Sequence, residues 1–317
     1  MSKKIVYRVR NWKEYNRSLV NRGNLTLWFS DDTIKSWYQK PQKHKNRGRP
    51  TLYSDAYIEL ALTIRTLFHL PLRATQGFLE GLISMLGLNL QVAHYSRLSR
   101  RAGALNIQLN TLQRAGKHPT DLVIDSTGLK IYGEGEWKVR THGKQKRRVW
   151  RKYHVSVNPE THEVTAMELT GSNVHDCTVL PALLSSQKGV GNVYADGAYS
   201  FKQGFDTIAK CGGTPSIPIR SGASVVRKNP SPGEVLRNEL VEDIRKAGGR
   251  LAWKKTSGHH RRSLVETHMF RLKTILGGKL RGRKFVNQQT EAKIMANILN
   301  TMAQLGMPKS EKVYVDR

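Results

Sequence analysis

The order of strand-like and helix-like segments after residue 119 constrains the fold of this 317-residue chain more than any other feature. TDLVIDSTGLKIY has the period of a strand, and VWRKYHVSVNPETHEVTAMELT predicts a hairpin that turns at 158–161. A helix is predicted at DCTVLPALLSS with Asp176 as its cap, then a strand in GNVYADGAYS and a helix near FKQGFDTIAKC. The prolines of TPSIPIR indicate an edge strand, and helices return at HRRSLVETHMFRLKTIL and QQTEAKIMANILNTMAQLG. This order, β-β-β-α-β-α-β-α, predicts an α/β domain with a mixed sheet flanked by helices.

Three acidic residues lie at informative places in that order. Asp125 and Asp196 end the apolar runs of two predicted strands, and Glu266 lies on a predicted helix. The order is that of an RNase H-like fold, in which the first strand and a later, adjacent strand bring carboxylates to one end of the sheet and a downstream helix supplies a third. Any one of these acids alone fits a helix cap or a surface charge equally well. Together they predict a two-metal phosphoryl-transfer centre that holds Mg²⁺, with Mn²⁺ as a substitute, because hard cations prefer oxygen ligands.

The helix that carries Glu266 is strongly basic. Arg262 precedes Glu266 by four residues and Lys273 follows it by seven, so both are expected near the same helix face. His259 and Arg261 add to this patch, which we interpret as phosphate-binding groups around a metal ligand. The alternative is that Arg262 and Lys273 are solvated ion-pair partners.

The charge of the whole chain indicates a nucleic-acid partner. Lys and Arg number 53 against 24 Asp and Glu, which gives a formal net charge of +29 and predicts phosphate binding with steep salt dependence. The segment 138–152 contains Lys146, Arg147 and Arg148 and no acid, and it is expected to follow the DNA backbone near Asp125. Two cysteines argue against a disulfide framework or a four-cysteine zinc site. No apolar run is long enough to span a bilayer and no signal peptide is evident, so a cytoplasmic, nucleoid-associated protein without membrane contact is expected.

The N-terminal fifty residues are mixed in character. GNLTLWFS is a candidate strand, and DDTIKSWYQK predicts a short helix capped by Asp31 or Asp32. In the basic stretch 40–50, Arg47 and Arg49 belong to an Arg-Gly-Arg-Pro sequence similar to the core of a minor-groove AT-hook. The alternative is a solvated linker.

A helical region follows. YIELALTIRTLFHL is predicted to be a helix capped at 54–55 and stopped by Pro71, and LRATQGFLEGLISMLGL a second helix ending near Gly87. A short basic helix is expected in HYSRLSRRAG with Ser96 or Ser99 as its cap. We interpret this as a helix-turn-helix pattern in which three arginines face a DNA groove or phosphates: Arg97, Arg100 and Arg101. The alternative is an ordinary helical bundle with a solvated basic face.

These patterns divide the chain into four predicted parts: an N-terminal arm and basic linker (1–50), an all-helical DNA-binding domain (51–115), an RNase H-like catalytic domain (116–287) with a loop or insertion at 221–256, and a C-terminal helix and tail (288–317).

The residues resemble those of a known family. VIDSTGLKIYGEGEWKVRTHG, RRVWRKYHVSVN, ADGAYS and HHRRSLVETHMFRLKTILGG are similar to DDE transposases of bacterial insertion sequences, in the insertion sequence five family. The resemblance implies that Asp125, Asp196 and Glu266 form the catalytic triad. Its signature around the glutamate is Tyr, two residues, Arg, three residues, Glu, six residues, Lys. Arg262, Glu266 and Lys273 match it, whereas His259 stands at the tyrosine position.

The resemblance also implies a reaction. Such enzymes bind the terminal inverted repeats of their element on double-stranded DNA, hydrolyse a phosphodiester at each end to expose a 3′-OH, and join that hydroxyl to target DNA. Holding two ends together implies a homodimer or higher homo-oligomer on DNA. Two alternatives remain, a non-catalytic DNA-binding protein derived from a transposase and a DNA nuclease without strand transfer. The basic helical N-terminal region favours the transposase.

Overall fold

The fold is given by a computed structural model, which describes residues 3–40, 51–112, 119–131, 149–187, 189–220 and 222–316. The strands in these ranges are β1 (Lys3–Val9), β2 (Thr120–Ile131), β3 (Trp150–Val157), β4 (Val164–Gly171), β5 (Val190–Tyr194), β6 (Thr214–Ser216), β7 (Lys279–Leu280) and β8 (Ser310–Asp316). The α-helices are α1 (Trp12–Arg22), α2 (Leu25–Trp28), α3 (Asp31–Lys35), α4 (Asp55–Leu67), α5 (Leu72–Met85), α6 (Tyr95–Ala102), α7 (Asp176–Leu184), α8 (Lys202–Lys210), α9 (Pro232–Lys246), α10 (Arg250–Thr256), α11 (Ser263–Arg271) and α12 (Phe285–Gln304).

A mixed sheet forms the centre of the molecule. Its strand order is β4-β3-β2-β5-β6, and β7 pairs with the far end of β2. The strands β2, β3 and β4 are antiparallel neighbours, whereas β5 runs parallel to both β2 and β6. The prediction of a mixed sheet with TPSIPIR at one edge is confirmed, and the arrangement fits an RNase H-like fold.

Helices cover both faces of the sheet, and successive side chains of β2 point to opposite faces. Ile124 packs into a core with Leu180 of α7 and Phe205 of α8. Val123 belongs to a second core that also contains Leu299 of α12. The sheet is therefore enclosed between helices, and this fixes the positions of polar residues at its end.

The helical region before the sheet folds as its sequence predicts in outline. The Ser54 hydroxyl accepts a hydrogen bond from the Tyr57 amide at 3.1 Å and caps α4. Gly87 has φ +64 just past α5, a conformation that glycine adopts without strain. The helices α4, α5 and α6 pack on one another and share the second core with α12, whose Thr290 hydroxyl donates to the Ala102 carbonyl at 2.8 Å. A helix-turn-helix function for them remains a prediction.

Local predictions near the N-terminus need correction. GNLTLWFS contains α2 rather than a strand, because the Asn24 side chain accepts the Thr26 amide hydrogen and starts a helical turn. The helix α3 exists, but its cap is Ser30, one residue before the predicted acids. The cap of α6 is His94 rather than Ser96 or Ser99.

Asp176 is also misassigned by sequence. It is the first residue of α7, not the cap, and its carboxylate instead pairs with Lys152 at 2.7 Å.

The segment 221–256, predicted to be a loop or insertion, contains the helices α9 and α10. Pro232 does not break structure here, because it occupies the first turn of α9, where its missing N–H costs nothing. Ser231 and Glu234 form a reciprocal capping box at the start of α9.

The two ends of the described chain meet in a separate two-stranded sheet. β1 pairs antiparallel with β8, with Val6 opposite Val313. The predicted C-terminal tail therefore ends in a strand, and the N-terminal arm begins with its partner.

Candidate active site

The end of β5 and the middle of β2 place two acids side by side. The strands are parallel neighbours with Val123 opposite Tyr194, and Asp125 and Asp196 each lie two residues further along the chain. The two carboxylates are close enough that the charge of Asp196 raises the pKa of Asp125. The apolar run that Asp125 ends is only the first half of β2, so this residue lies within the strand. The prediction that adjacent strands would bring these carboxylates together agrees with this geometry.

One oxygen of each carboxylate accepts a hydrogen bond from a nearby backbone amide. Oδ1 of Asp125 accepts from the Ser126 amide at 2.8 Å, and Oδ1 of Asp196 accepts from the Ala198 amide at 2.8 Å. The second bond begins the 3₁₀ turn Gly197–Tyr199. The remaining oxygen of each acid can therefore serve another partner.

The surroundings of Asp125 disfavour the ionised form of its carboxyl group. Burial raises its pKa most, and the negative charges of Asp196 and Asp176 raise it further. The Ser126 amide and the Arg262 guanidinium oppose this rise in pKa. A cation close to Asp125 would relieve the same repulsion.

Glu266 reaches this pair through an arginine. Nη1 of Arg262 donates to Oδ2 of Asp125 at 2.9 Å, and Nη2 donates to Oε1 of Glu266 at 2.5 Å. Arg262 therefore stands between the two acids, with Glu266 on the exposed side of α11. In the described ranges no group of three acidic, histidine or cysteine side chains is close enough to hold a metal ion.

The other basic residues predicted around Glu266 have different surroundings. His259 is buried, its Nδ1 lies 3.0 Å from the Ser216 carbonyl, and its ring lies against Trp253, so it is not available to DNA in this arrangement. Arg261 donates to Oδ2 of Asp121 at 2.7 Å. Lys273 is exposed, but it lies in the π-helical turn Leu272–Leu276, so the α-helical offset from Glu266 does not extend to it.

Two further residues belong to this site, although the sequence did not mark them as functional. Asp176, at the start of α7, is close enough to Asp125 to influence its pKa, and its Oδ1 lies 3.4 Å from Nδ1 of the buried His154. The Tyr199 hydroxyl is buried and has no hydrogen-bond partner among the described residues. Burial raises the pKa of Tyr199, and the charges of Asp176, Asp125 and Asp196 raise it further, so the phenol stays protonated. The sequence signal that places Tyr199 at this site is its position three residues after Asp196.

The arginines predicted to face DNA on α6 differ from one another. Arg100 is exposed, the Arg97 guanidinium stacks 5.5 Å from the Tyr53 ring centre, and Arg101 pairs with Asp55 and donates to the Tyr53 carbonyl at 3.0 Å. Five further predicted contacts lie outside the described residues: Arg47, Arg49, Lys146, Arg147 and Arg148.

The donor set fits a hard divalent cation. Asp125, Asp196 and Glu266 offer carboxylate oxygens, the ligands that Mg²⁺ prefers. The unpartnered Tyr199 hydroxyl beside the acids supplies a polar group of the kind that hydrogen-bonds to a hydrated ion. Direct ligation by Asp125 and Glu266 together would require Arg262 to leave the position between them.

Comparison with known families identifies the kind of domain that this chain contains. Two family models, each described as a transposase DDE domain, match residues 20–134 and 116–301. The second match covers more than half of the chain and contains the whole central sheet with α7 to α11. None of the helices in the described ranges has both the length and the apolar character needed to cross a membrane.

Proposed function

This chain belongs to the DDE transposase family, and from that premise we propose that it transposes a bacterial insertion sequence of the insertion sequence five family. It binds the terminal inverted repeats, hydrolyses a phosphodiester at each end to expose a 3′-OH, and joins that end to target DNA. The observation that supports this proposal is that the carboxylate of Asp125 lies near that of Asp196 and is bridged to Glu266 by Arg262.

Asp125, Asp196 and Glu266 are proposed to hold Mg²⁺, or Mn²⁺ in its place. When bound, the metal lowers the pKa of an attacking water or hydroxyl and stabilises charge on the leaving oxygen. Asp125 lies within β2, and Asp196 lies two residues past the end of the neighbouring strand β5, where its hydrogen bond to the Ala198 amide holds its carboxylate. Glu266 lies on α11, which packs against β2.

Arg262 is proposed to exchange partners during the reaction. Its guanidinium donates one charged hydrogen bond to Asp125 and one to Glu266, and the same two nitrogens can donate to the oxygens of a phosphate. When DNA enters, a phosphate can take over the arginine and free the two carboxylates for the metal. Binding of DNA and completion of the metal site are then coupled.

The remaining basic residues of the site are proposed to hold the DNA backbone. Lys273 is exposed just beyond α11, and Arg261, although paired with Asp121, keeps 40% of its side chain accessible. Arg97, Arg100 and Arg101 are proposed as contacts on α6, with Arg100 the most accessible of the three. The basic segments containing Arg47, Arg49, Lys146, Arg147 and Arg148 add further phosphate contacts, and two copies of the chain hold the two ends.

A non-catalytic DNA-binding protein is the second candidate. The observation that favours it is that Arg262 neutralises Asp125 and Glu266 within the protein itself. A nuclease without strand transfer would share the cleavage step and lack the joining step.

The test is a cleavage and joining assay on a labelled duplex that carries the element's end, taken from the DNA flanking the coding sequence. Wild-type protein with Mg²⁺ is expected to cut at the end boundary and to join the 3′-OH end to a second duplex. Asp196→Asn is expected to bind the duplex and to lose both products. Glu242→Gln is the matched control, since it removes one acid that pairs with Arg245 on the surface of α9. Binding without cleavage by the wild type would favour the second candidate, and cleavage without joining would favour the nuclease.

A further inference from the structure

A large basic groove lies between the N-terminal helices and the start of α12. Its volume is about 1170 Å³, and its walls come from α4, α5 and α6 on one side and from residues 281–294 on the other. Six cationic residues line it: Arg65, Arg73, Arg100, Arg281, Arg283 and Lys284. No role for this groove follows from the triad or its neighbours.

The acidic residue that lines the groove already accepts hydrogen bonds within the protein. Glu291 is the acid among the lining residues, and its carboxylate accepts hydrogen bonds from the backbone amides of Arg281 at 3.0 Å and Gly282 at 2.8 Å. Within the described ranges, no ion pair or hydrogen bond engages the side chains of Arg100, Arg283 or Lys284, and all three are exposed. The groove therefore keeps a large excess of positive charge open to solvent.

Arg65, one of the residues that line the groove, is partly buried. Its Nε atom is buried and has no hydrogen-bond partner in the described part of the chain. Burial lowers the pKa of Arg65 most, the charge of Glu291 raises it, and the charge of Arg281 has a smaller effect that lowers it. A further anion in the groove would favour the charged form of Arg65, as Glu291 does.

Two helix N-termini open into the same groove. α5 begins after Pro71 and α12 begins after Lys284, and in the described part of the chain no side chain caps the first amides of either helix. Uncapped N-termini present free backbone N–H groups and the positive end of the helix dipole, which together bind phosphate oxygens. The lining residues Arg73 and Lys284 stand at these two starts. The side-chain charges and the backbone donors thus favour the same ligand chemistry.

The groove is close to the triad along the fold. Lys279 of β7 lies opposite Lys130 of β2, five residues beyond Asp125. Five residues of strand span about 17 Å, roughly half of a 34 Å turn of B-DNA. The chain then passes directly into the groove at Arg281. A duplex with one phosphodiester at Asp125 can therefore reach the groove within its first turn.

We propose that this groove binds the phosphate backbone of the DNA duplex next to the bond cleaved at the triad, about five to ten base pairs from it. The inference rests on the proposed function, because it takes the triad as the place where DNA is cut. Arg100, Arg283 and Lys284 contact successive phosphates, and the starts of α5 and α12 add backbone donors. The groove makes no contact with the bases. It contributes binding affinity and sets the position of the duplex on the protein.

The test measures binding and does not depend on cleavage. The variant Arg100→Gln/Arg283→Gln/Lys284→Gln removes three exposed charges that make no ion pair in the described ranges. The matched control, Lys246→Gln/Arg250→Gln/Lys255→Gln, removes three exposed charges from α9 and α10. Dissociation constants are measured by fluorescence anisotropy at several salt concentrations, without Mg²⁺, on a 40-base-pair end duplex and on an unrelated duplex of equal length. Melting temperatures confirm that both variants fold.

The groove variant is expected to bind both duplexes at least about tenfold more weakly, with a log–log salt slope shallower by about two to three, since each lost phosphate contact reduces the slope by about one. The control is expected to retain the wild-type slope. Ethylation of phosphates about five to ten base pairs from the cut is expected to weaken wild-type binding and to have no effect on the groove variant. Wild-type affinity in the groove variant, an equal loss in the control, or a loss confined to the end duplex would overturn the proposal. Binding that behaves as expected while wild type fails to cut with Mg²⁺ would refute the proposed function alone.

Discussion

Arg262 has a position that its spacing from Glu266 only partly predicts. The offset of four residues predicts that the two side chains meet on one helix face, and they do. The second contact, with Asp125, joins residues 137 apart in sequence and depends on how α11 packs against β2. Sequence patterns give the first contact because it is local. They cannot give the second, because no local pattern encodes the approach of a helix to a strand.

The change Arg262→Gln tests whether this arginine serves phosphate or only neutralises acids. We expect cleavage of saturating end duplex to fall by about 10- to 100-fold, the loss of a charged hydrogen bond to a phosphate. We also expect Mg²⁺ to raise the melting temperature of the variant more than that of wild type, because the competing guanidinium is gone. The measurements are single-turnover cleavage and thermal melting with and without Mg²⁺.

The neighbouring change Arg261→Gln is the control for Arg262. It removes the same charge from a residue that pairs with Asp121 instead of a triad member. Its Mg²⁺-dependent stabilisation should equal that of wild type. Unchanged cleavage in Arg262→Gln would contradict the proposed exchange of partners.

At the scale of elements, the regular segments were the most predictable. β2, β3, β4 and β5 follow their apolar runs, and α4 and α5 follow their caps and Pro71. Sequence patterns predict a loop where α9 and α10 lie, because residues such as Pro232 and Gly248 are typical of turns. The Ser231–Glu234 capping box was present in the sequence, so α9 could have been predicted from it.

The packing of α9 on α8 depends on one glycine. A Cβ at Gly233 would lie 2.2 Å from the Asp206 amide nitrogen and 2.4 Å from the Phe205 carbonyl carbon, both backbone atoms that cannot turn away. Gly233→Ala is therefore expected to destabilise the fold by about 1–3 kcal/mol. Gly81→Ala in α5 meets no atom within 4 Å and is expected to stabilise by about 0.5–1 kcal/mol. Urea unfolding measures both; equal stability of the two variants would show that α9 does not pack closely on α8.

The contact between α11 and β3 predicts sensitivity to acid. His268 is buried on α11, Nε2 lies 3.5 Å from the Tyr153 hydroxyl, and burial together with Arg271 and His162 lowers its pKa to about 3. The unfolded chain binds a proton near pH 6.5 and the folded chain does not, so stability is full above pH 6.5 and is lost as the pH falls toward 3. We expect a loss of up to about 1.4 kcal/mol per pH unit in this window.

His268→Gln removes this titration and is expected to flatten the pH dependence between pH 6.5 and 4. Urea unfolding at several pH values measures the difference in slope between wild type and variant. His154, whose burial lowers its pKa to about 4, remains in both proteins and contributes equally. An identical slope in the two proteins would mean that His268 is already protonated in the folded state.

At the scale of the whole molecule, the arrangement depends on contacts that sequence reasoning could not supply. β1 and β8 pair across nearly the full length of the chain. The N-terminal helices share their core with α12, so the helical region and the central sheet are held in one packed body. The sequence predicted the three acids and their elements, whereas the groove between α5, α6 and α12 arises only when distant helices meet.

The central claim is that Asp125, Asp196 and Glu266 hold the metal that cuts DNA, and a change of metal preference tests it most directly. Asp196→Cys replaces a hard oxygen ligand by a soft thiolate, which binds Mn²⁺ better than Mg²⁺. Single-turnover cleavage of the end duplex would be measured with each ion, with wild type as the reference. We predict that wild type cuts with both ions, whereas the variant cuts only with Mn²⁺. Cleavage by Asp196→Cys at the wild-type rate in Mg²⁺ would contradict metal binding by this residue.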